Sequence, residues 1–314
     1  MDNSLGLSGM LLRIEKSSIH DGEGLRTVVF LKGCNLHCLW CSTPESHSDR
    51  VELGFDSLRC KSCDACIKKC LSKALSRNCD GRIVLEQGRC RLCFQCQQDC
   101  PSRALLFYGV KVSVKEVLHE ILKDEVFYFH SGGGVTISGG EPLLQAKFTC
   151  ELLKGCKRNG LDTAMESSFN VPWQIATGVL PYLNTLFIDV KHSDDNIHEQ
   201  ITGTKSAMIL ENIVRADSSP ELFELVLRLP LIPGLNDDEH NLCATAAFAA
   251  SLTKLKYLEV LPYHRLGSAT YTKLGLDYTL TGLPTPTISY VLDKCRLIKS
   301  SQPDLPVKCF SKII

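Results

Sequence analysis

The sequence predicts an α/β fold, a parallel sheet arranged as a partial (β/α)6 barrel, with a small cysteine-dense insertion near its start. Three observations carry this. Strand and helix patterns alternate through the last two thirds of the chain, a polar, cysteine-rich stretch interrupts the first third, and 314 residues suffice for one large core plus a small inserted unit. Residues 25–32 (Leu-Arg-Thr-Val-Val-Phe-Leu-Lys) form an apolar, β-branched run that reads as a buried strand leading directly to Cys34. From about 57 to 107 long apolar runs disappear. Beyond this stretch a helix at Val114–Lys123 precedes a strand at Val135–Ser138, and a helix at Leu143–Asn159 precedes a strand at Asp162–Glu166. Helix Pro172–Leu183 leads to strand Thr185–Val190, helix Met208–Ala216 to strand Leu222–Leu229, and helix Asp238–Leu252 to strand Tyr257–Leu261. A last helix covers Thr287–Ser300. Repeated strand–helix units imply right-handed crossovers and parallel pairing, with the chemistry at the carboxyl ends of the strands.

Composition narrows the function. With 35 basic and 35 acidic residues the chain is formally neutral and shows no overall electrostatic footprint for nucleic acid or an anionic membrane. Glu15, Lys16 and Asp21 interrupt the beginning of the sequence, so no signal peptide is expected, and the apolar stretch Leu242–Leu252 is too short to span a bilayer. Seventeen cysteines in a chain of this size without an export signal point to metal ligation in a reducing cytoplasm.

Cys34, Cys38 and Cys41 stand in Gly-Cys-Asn-Leu-His-Cys-Leu-Trp-Cys, a C-x3-C-x2-C spacing. Three close thiolates can hold a cube of four irons and leave one iron without a protein ligand, open to another molecule. Zinc is the alternative, since His37 lies inside the triplet and His47 just beyond it.

Two further runs lie in the insertion. Cys60, Cys63, Cys66 and Cys70 form C-x2-C-x2-C-x3-C, and Cys90, Cys93, Cys96 and Cys100 repeat the spacing before Pro101. This is the bacterial two-cluster ferredoxin pattern, in which the fourth cysteine of each run serves the other cluster. One cluster then takes Cys60, Cys63, Cys66 and Cys100, and the other Cys90, Cys93, Cys96 and Cys70. Such a pair is either an electron relay or a structural staple for a segment too small to build its own core. Cys150, Cys156, Cys243 and Cys295 read as small core residues, Cys79 as a bystander, and Cys309 as a tail residue without an assigned role.

Two segments fall at expected strand ends. Ser138-Gly139-Gly140-Glu141-Pro142 places a glycine pair where backbone can approach a ligand, and a carboxylate or carbonyl there can accept from an ammonium group. Gly132-Gly133-Gly134 lacks the Gly-Lys-Ser/Thr ending of a phosphate loop. Ile188-Asp189-Val190-Lys191-His192 ends another strand.

The C-x3-C-x2-C triplet with Gly33 and Trp40, followed by Gly-Gly-Glu-Pro, resembles the radical S-adenosylmethionine (radical SAM) superfamily. Within it the chain is similar to the glycyl radical enzyme activating enzymes. The likeness runs through His20-Asp21-Gly22-Glu23-Gly24-Leu25-Arg26-Thr27, residues 41–46 and 127–136, Glu166-Ser167-Ser168, the Asp-x-Lys of 189–191, Leu227-Arg228 and Pro262-Tyr263-His264-Arg265. It implies a partial (β/α)6 radical SAM barrel at 1–56 and 108–314, with a ferredoxin-like insertion carrying two [4Fe-4S] clusters at 57–107. It also implies an oxidoreductase in which the reduced three-cysteine cluster cleaves SAM to a 5′-deoxyadenosyl radical, which takes a hydrogen from a backbone glycine of a partner glycyl radical enzyme. The implied cofactors are three [4Fe-4S] clusters and SAM, with flavodoxin or ferredoxin as reductant and an oxygen-shy host. Trp40, Cys41, Ser42 and Gly140 would line SAM, and Asp189, Val190, Lys191 and His264 its other side. A monovalent cation would lie near Asp189 and Glu166, with Ser167 beside them. Arg228 would reach the SAM carboxylate, and Asp21 and Arg26 the incoming glycine loop. Glu23 stands where the family has proline. Two alternatives remain at this level: a radical SAM enzyme acting on another peptide or small molecule, and a multi-cluster electron carrier without catalysis.

Overall fold

The computed structural model describes residues 6–310 and 312–313. β1 (Ser8–Ser18) runs antiparallel to β2 (Arg26–Leu31), the buried strand expected from the sequence. The chain then leaves the sheet through β3 (Glu52–Phe55), α1 (Ala65–Lys69), β4 (Leu75–Arg77), β5 (Ile83–Leu85), α2 (Gln95–Gln98) and β6 (Leu105–Tyr108). These elements form a lobe of two small sheets, β3 with β6 and β4 with β5, around a core of Phe55, Leu75, Ile83 and Leu105. Return is through β7 (Val110–Ser113), antiparallel to β1, and α3 (Val114–Leu122), which opens on a Ser113–Glu116 capping box. α4 (Glu125–Ser131) follows and ends on the left-handed Gly132.

The rest alternates as the sequence implies: β8 (Gly134–Gly139), α5 (Ala146–Arg158), β9 (Asp162–Ser167), α6 (Trp173–Ala176), β10 (Thr185–Asp189), α7 (Asp195–Thr202), α8 (Ala207–Asp217), β11 (Glu224–Leu231), α9 (Glu239–Ala250), β12 (Leu255–Pro262), α10 (Ser268–Leu274), α11 (Ile288–Ser301), β13 (Val307–Cys309) and β14 (Lys312–Ile313). The main sheet has the order β14-β13-β12-β11-β10-β9-β8-β2-β1-β7. It is parallel from β2 to β13 and antiparallel at both edges. β7 and β14 do not pair, so the sheet stays open.

Strand periodicity sorts the two faces. Leu186, Ile188, Leu225, Leu227 and Leu258 join the large core beneath the helices, while Ala164, Phe187, Val226 and Tyr257 form a small apolar floor on the other face. Two positions further along each strand, that second face carries Glu166, Asp189, Arg228 and Glu259. Lys32, just past β2, is fully buried; its Nζ donates to Glu45 O (2.5 Å) and pairs with Glu52 Oε2 (2.9 Å), tying the main sheet to β3.

All six expected parallel strands form, with ends shifted by up to two residues, and β13 adds a short seventh. The helix expected over Pro172–Leu183 is broken: α6 spans only Trp173–Ala176, and Leu180–Tyr182 is a separate 3₁₀ turn. Gly178 and Pro181 account for the interruption, since proline removes a donor and clashes with the preceding turn. Leu143 likewise begins in a 3₁₀ turn, Pro142–Gln145, ahead of α5. No helix among the described residues is long and apolar enough to cross a membrane.

Candidate active site

The loop leaving β2 carries Cys34, Cys38 and Cys41 at the carboxyl edge of the parallel strands. Backbone bonds pin it along its length. Gly33 N–H donates to Ser46 O (2.7 Å), Cys34 N–H to His47 O (3.1 Å), His37 N–H to Thr202 O (2.7 Å) and Leu39 N–H to Ile201 O (3.1 Å). The end of β8 presses against this loop. A Cβ on Gly139 (φ 119°) would lie 2.3 Å from Leu31 N, and one on Gly140 would lie 2.2 Å from Gly33 O. The glycine pair is therefore needed for the approach of the cysteine loop itself.

Glu141 also differs from expectation. Its side chain is fully buried and accepts from Leu143 N–H (3.0 Å), Ser167 Oγ (2.8 Å), Ser168 N–H (2.8 Å) and Ser168 Oγ (2.6 Å). The carboxylate is committed to the loop after β9, which leaves only main-chain carbonyls of this segment for an ammonium ligand. That loop holds buried Phe169 at φ 61°, a left-handed conformation unusual for a bulky residue, and Asn212 Nδ2 clamps its carbonyl at 3.0 Å.

The three thiols are half-buried and within electrostatic reach of one another. Burial pushes Cys34 and Cys41 up to about 12 and raises Cys38 as well, so the bare thiols stay protonated at neutral pH and a bound metal must displace the protons. Lys191 works against this at Cys34 and Cys38. Its Nζ is buried 2.9 Å from Asp189 Oδ2; burial pushes the ammonium down, but Asp189 and the Cys38 thiol outweigh it and hold the pKa above the usual lysine range. Val190 donates its N–H to Arg228 O (2.8 Å) and packs its side chain in the main core.

The His264 loop comes in from β12. His264 is exposed, and Gly267 lies so close to the cysteine loop that a Cβ there would be 2.6 Å from Ser42 O. Trp40 packs on Ile232, Tyr263, Tyr271 and Tyr278, with the Tyr263 and Tyr278 hydroxyls 2.8 Å apart. This aromatic group was not singled out from the sequence; its only signal was the tyrosine density of residues 257–278. Cysteine loop, Gly140, Asp189, Lys191 and the His264 loop thus share one rim.

Other expectations are corrected. Arg228 is buried in ion pairs, Nε 2.9 Å from Glu259 Oε2 and Nη1 on Glu166, with its guanidinium 4.1 Å above the Phe187 ring. It is therefore committed within the barrel rather than free to meet a ligand carboxylate. Glu166 also accepts from Ser138 Oγ (2.5 Å), and burial pushes its carboxyl up against the pull of Arg228. Glu166 and Asp189 are each matched to a cation of the chain, Arg228 and Lys191. Arg26 is buried, bonded to Thr136 Oγ1 (2.7 Å), Asp162 Oδ1 (2.9 Å) and Val135 O (2.8 Å), so it is a structural clamp and not a surface contact. Asp21 is tied inward through its carbonyl to Thr136 Oγ1 (2.6 Å), and its carboxylate accepts from Ser18. Glu23 pairs with Lys256 (2.5 Å).

The inserted lobe repeats itself at the backbone. Ser62, Asp64 and Lys73 have φ of 51°, 54° and 53°, and Leu92, Phe94 and Arg103, thirty positions later, have 51°, 55° and 51°. Amide-to-sulfur bonds repeat too, Ser62 to Cys60 and Leu92 to Cys90 (each 3.4 Å), Ala74 to Cys70 and Ala104 to Cys100 (each 3.3 Å). Burial opposes ionisation at Cys70 and Cys100, but the Ser72 and Ser102 hydroxyls and these amides outweigh it and lower both thiols. A small cavity is lined by Cys60, Cys63, Cys66 and Cys100. On the other side, Cys70, Cys90 and Cys93 surround Cys96, which burial raises to about 11. Among the described residues no three His, Cys, Asp or Glu side chains converge tightly enough to hold a single ion. A cube instead spreads its ligands over separate irons, and amide-bonded cysteines around a cavity fit that donor set. Cys79 is exposed; Cys156, Cys295 and Cys309 are buried, and Cys150 and Cys243 partly so.

Known proteins match this chain along most of its length. The family model of the radical SAM superfamily matches residues 76–246. The chain is 41% identical over 278 residues to a (2S)-3-sulfopropanediol dehydratase activating enzyme of Klebsiella oxytoca, covering 87% of each. It is 41% identical over 271 residues to an isethionate sulfite-lyase activating enzyme of Oleidesulfovibrio alaskensis, covering 85% of this chain and 87% of the relative. To a 4-hydroxyphenylacetate decarboxylase activating enzyme of Clostridioides difficile it is 37% identical over 285 residues, covering 88% and 89%. A solved radical SAM methyltransferase from Sphaerobacter thermophilus shares the fold, with TM-score 0.54 and 10% identity over 95% of this chain and 76% of that one. The chain belongs to the radical SAM superfamily and, within it, to the glycyl radical enzyme activating enzymes.

Proposed function

We propose that the Cys34–Cys38–Cys41 loop holds a [4Fe-4S] cluster that binds SAM at its open iron, and that the chain uses it to place a radical on a glycine of a partner glycyl radical enzyme. One observation carries this reading: three thiols within electrostatic reach of one another, on a loop at the carboxyl rim of a parallel sheet, facing buried Lys191. When bound, the cluster supplies one electron to SAM, and the fragment released takes the glycine hydrogen. The chain's own residues bind and orient. Trp40, Cys41, Ser42 and Gly140 flank one side of SAM, and Asp189, the main chain of Val190, Lys191 and His264 the other. Lys191 keeps its charge beside the anionic cluster and ligand, while the Tyr263–Tyr271–Tyr278 group backs Trp40 and excludes water. No protein acid–base pair is needed.

The repeated lobe is read as two further clusters, on Cys60, Cys63, Cys66 and Cys100 and on Cys90, Cys93, Cys96 and Cys70. The relatives' names join activating enzymes to a dehydratase, a sulfite-lyase and a decarboxylase, so a glycyl radical enzyme is the class of partner proposed. A low-potential carrier such as flavodoxin or ferredoxin, in the cytoplasm, supplies electrons.

Anaerobic reconstitution should give about twelve irons per chain, and SAM should perturb the EPR signal of one cluster only. Full activity at four irons would remove the lobe clusters. With a candidate partner, SAM and reductant together should produce a glycyl radical signal that neither gives alone; its absence with every candidate glycine peptide or enzyme would overturn the function. Lys191→Ala and His264→Ala should each weaken SAM binding by roughly 1.5–3 kcal/mol, about 10- to 150-fold, with iron content intact. Equilibrium titration checks this, and unchanged affinity in both variants rejects their ligand roles.

A further inference from the structure

The inserted lobe is basic within a neutral chain. Residues 57–107 hold ten Lys and Arg against four Asp and Glu, a net of +6, so the remainder carries −6. Half of these cations are engaged. Arg59, Lys69, Arg77 and Arg89 pair with carboxylates, and Arg82 donates to the carbonyls of Thr272 and Lys273. The other five, Lys61, Lys68, Lys73, Arg91 and Arg103, are exposed, and none has an ion pair among the described residues.

Their positions follow the repeat. Lys61 and Arg91 stand two residues before Cys63 and Cys93, and Lys73 and Arg103 three residues after Cys70 and Cys100. Each proposed set of four cysteines is thus flanked in sequence by two free cations. Cys63 and Cys93 are the exposed members of their runs. Leu58 and Leu71 on the same lobe are each 98% exposed.

We infer that this lobe is the docking surface for a strongly acidic one-electron carrier protein, an inference that rests on the proposed lobe clusters. Electron-transfer encounters are small and short-lived, and complementary charge sets their association rate more than their affinity. Unpaired cations around exposed cluster cysteines bring an acidic carrier to the point where the electron enters, and a few bare leucines give the encounter a non-charged contact. One electron leaves the carrier's reduced cofactor, which is oxidised by one equivalent, and one lobe cluster is reduced by one. Cations that only balanced the negative charge of the clusters would act equally on every reductant.

The test uses the anaerobic holoprotein and its variant Lys61→Glu, Lys73→Glu, Arg91→Glu, Arg103→Glu. Cluster bleaching is followed by stopped flow with reduced flavodoxin and, separately, with the small cation of reduced methyl viologen. With flavodoxin the unaltered protein should slow at least about 10-fold between about 20 and about 300 mM salt, and the variant should be at least about 10-fold slower at low salt with little salt dependence. With viologen the variant should be no slower. Equal flavodoxin rates overturn the inference, as does equal slowing with both reductants or a defect confined to association with the glycyl radical enzyme. Iron analysis separates the two levels: about twelve irons with no charge effect defeats the docking surface, whereas about four in the unaltered protein defeats the lobe clusters themselves.

Discussion

Replacing Cys34, Cys38 or Cys41 by Ala should abolish reductive SAM cleavage while about eight irons remain bound per chain. The loss should reach the ~10⁶-fold or more that separates enzymes from uncatalysed chemistry, because the triplet is the cluster proposed to leave an iron open to SAM, whereas each lobe cluster has a full set of four cysteines. The separation of effects follows from the architecture. The cysteine loop is held by main-chain bonds from Gly33, Cys34, His37 and Leu39, none of which uses a thiol, so the loop should persist without its sulfur atoms. Four of the lobe cysteines, Cys60, Cys66, Cys70 and Cys96, pack on the lobe's own core of Phe55, Leu75, Ile83 and Leu105. Product analysis for 5′-deoxyadenosine, beside iron and sulfide determination, checks both halves. Substantial product from the triple variant would mean that another cluster cleaves SAM; loss of all iron would mean that the lobe does not load independently.

Glu141→Ala should produce a large loss of stability, about 3–5 kcal/mol, the summed cost of several buried donors losing their acceptor. Four donors converge on this fully buried carboxylate, and its removal takes this acceptor from the Leu143 and Ser168 N–H groups and from the Ser167 and Ser168 hydroxyls. It also frees the loop that forces Phe169 into its left-handed conformation, which by itself stores about 1–3 kcal/mol. The loop follows β9 and packs beneath the cysteine loop, where Asn35 Nδ2 donates to Asn170 O (2.6 Å). SAM affinity should therefore fall with stability. Glu141→Gln keeps the shape and one acceptor and should lose less on both counts. Anaerobic thermal melts should show Glu141→Ala lower by roughly 5–15 °C. A melt within a degree or two of the unaltered protein, with SAM affinity unchanged, would contradict the role given to Glu141.

The parallel strands were readable because their apolar runs are long and each is followed by a helical pattern. The triplet was readable because ligand spacing is local in sequence. What sequence hid is what depends on register between strands. Gly139-Gly140-Glu141 reads as a ligand-binding turn, yet the glycines serve the packing of β8 on the cysteine loop and the carboxylate serves the loop after β9. Arg228 reads as a strand-end arginine free to meet a ligand. Only the β9–β10–β11–β12 alignment brings Glu166 and Glu259 to either side of it. Arg26 reads as a contact for an incoming glycine loop until Thr136 and Asp162, more than a hundred positions away, close on it. β1 was missed because Arg13, Glu15 and Lys16 break its apolar pattern along the stretch that β7 does not cover, and α4 because its short apolar run has no helical period.

Buried Lys32 makes the inserted lobe difficult to excise. Its ammonium is satisfied by Glu45 O and by Glu52, and Glu52 lies on β3, which pairs with β6 at the far end of the insertion. A deletion of the cysteine-rich segment would take away β6, release β3 with Glu52, and leave the buried amine bonded to the Glu45 carbonyl but without its carboxylate. A shortened version of this protein therefore needs a second change at position 32, to an apolar residue of similar length such as methionine, before it can close over the gap. The main sheet and its appendage are joined by an electrostatic rivet and not by a tether, and any transplantation of the lobe has to carry both halves of the rivet together.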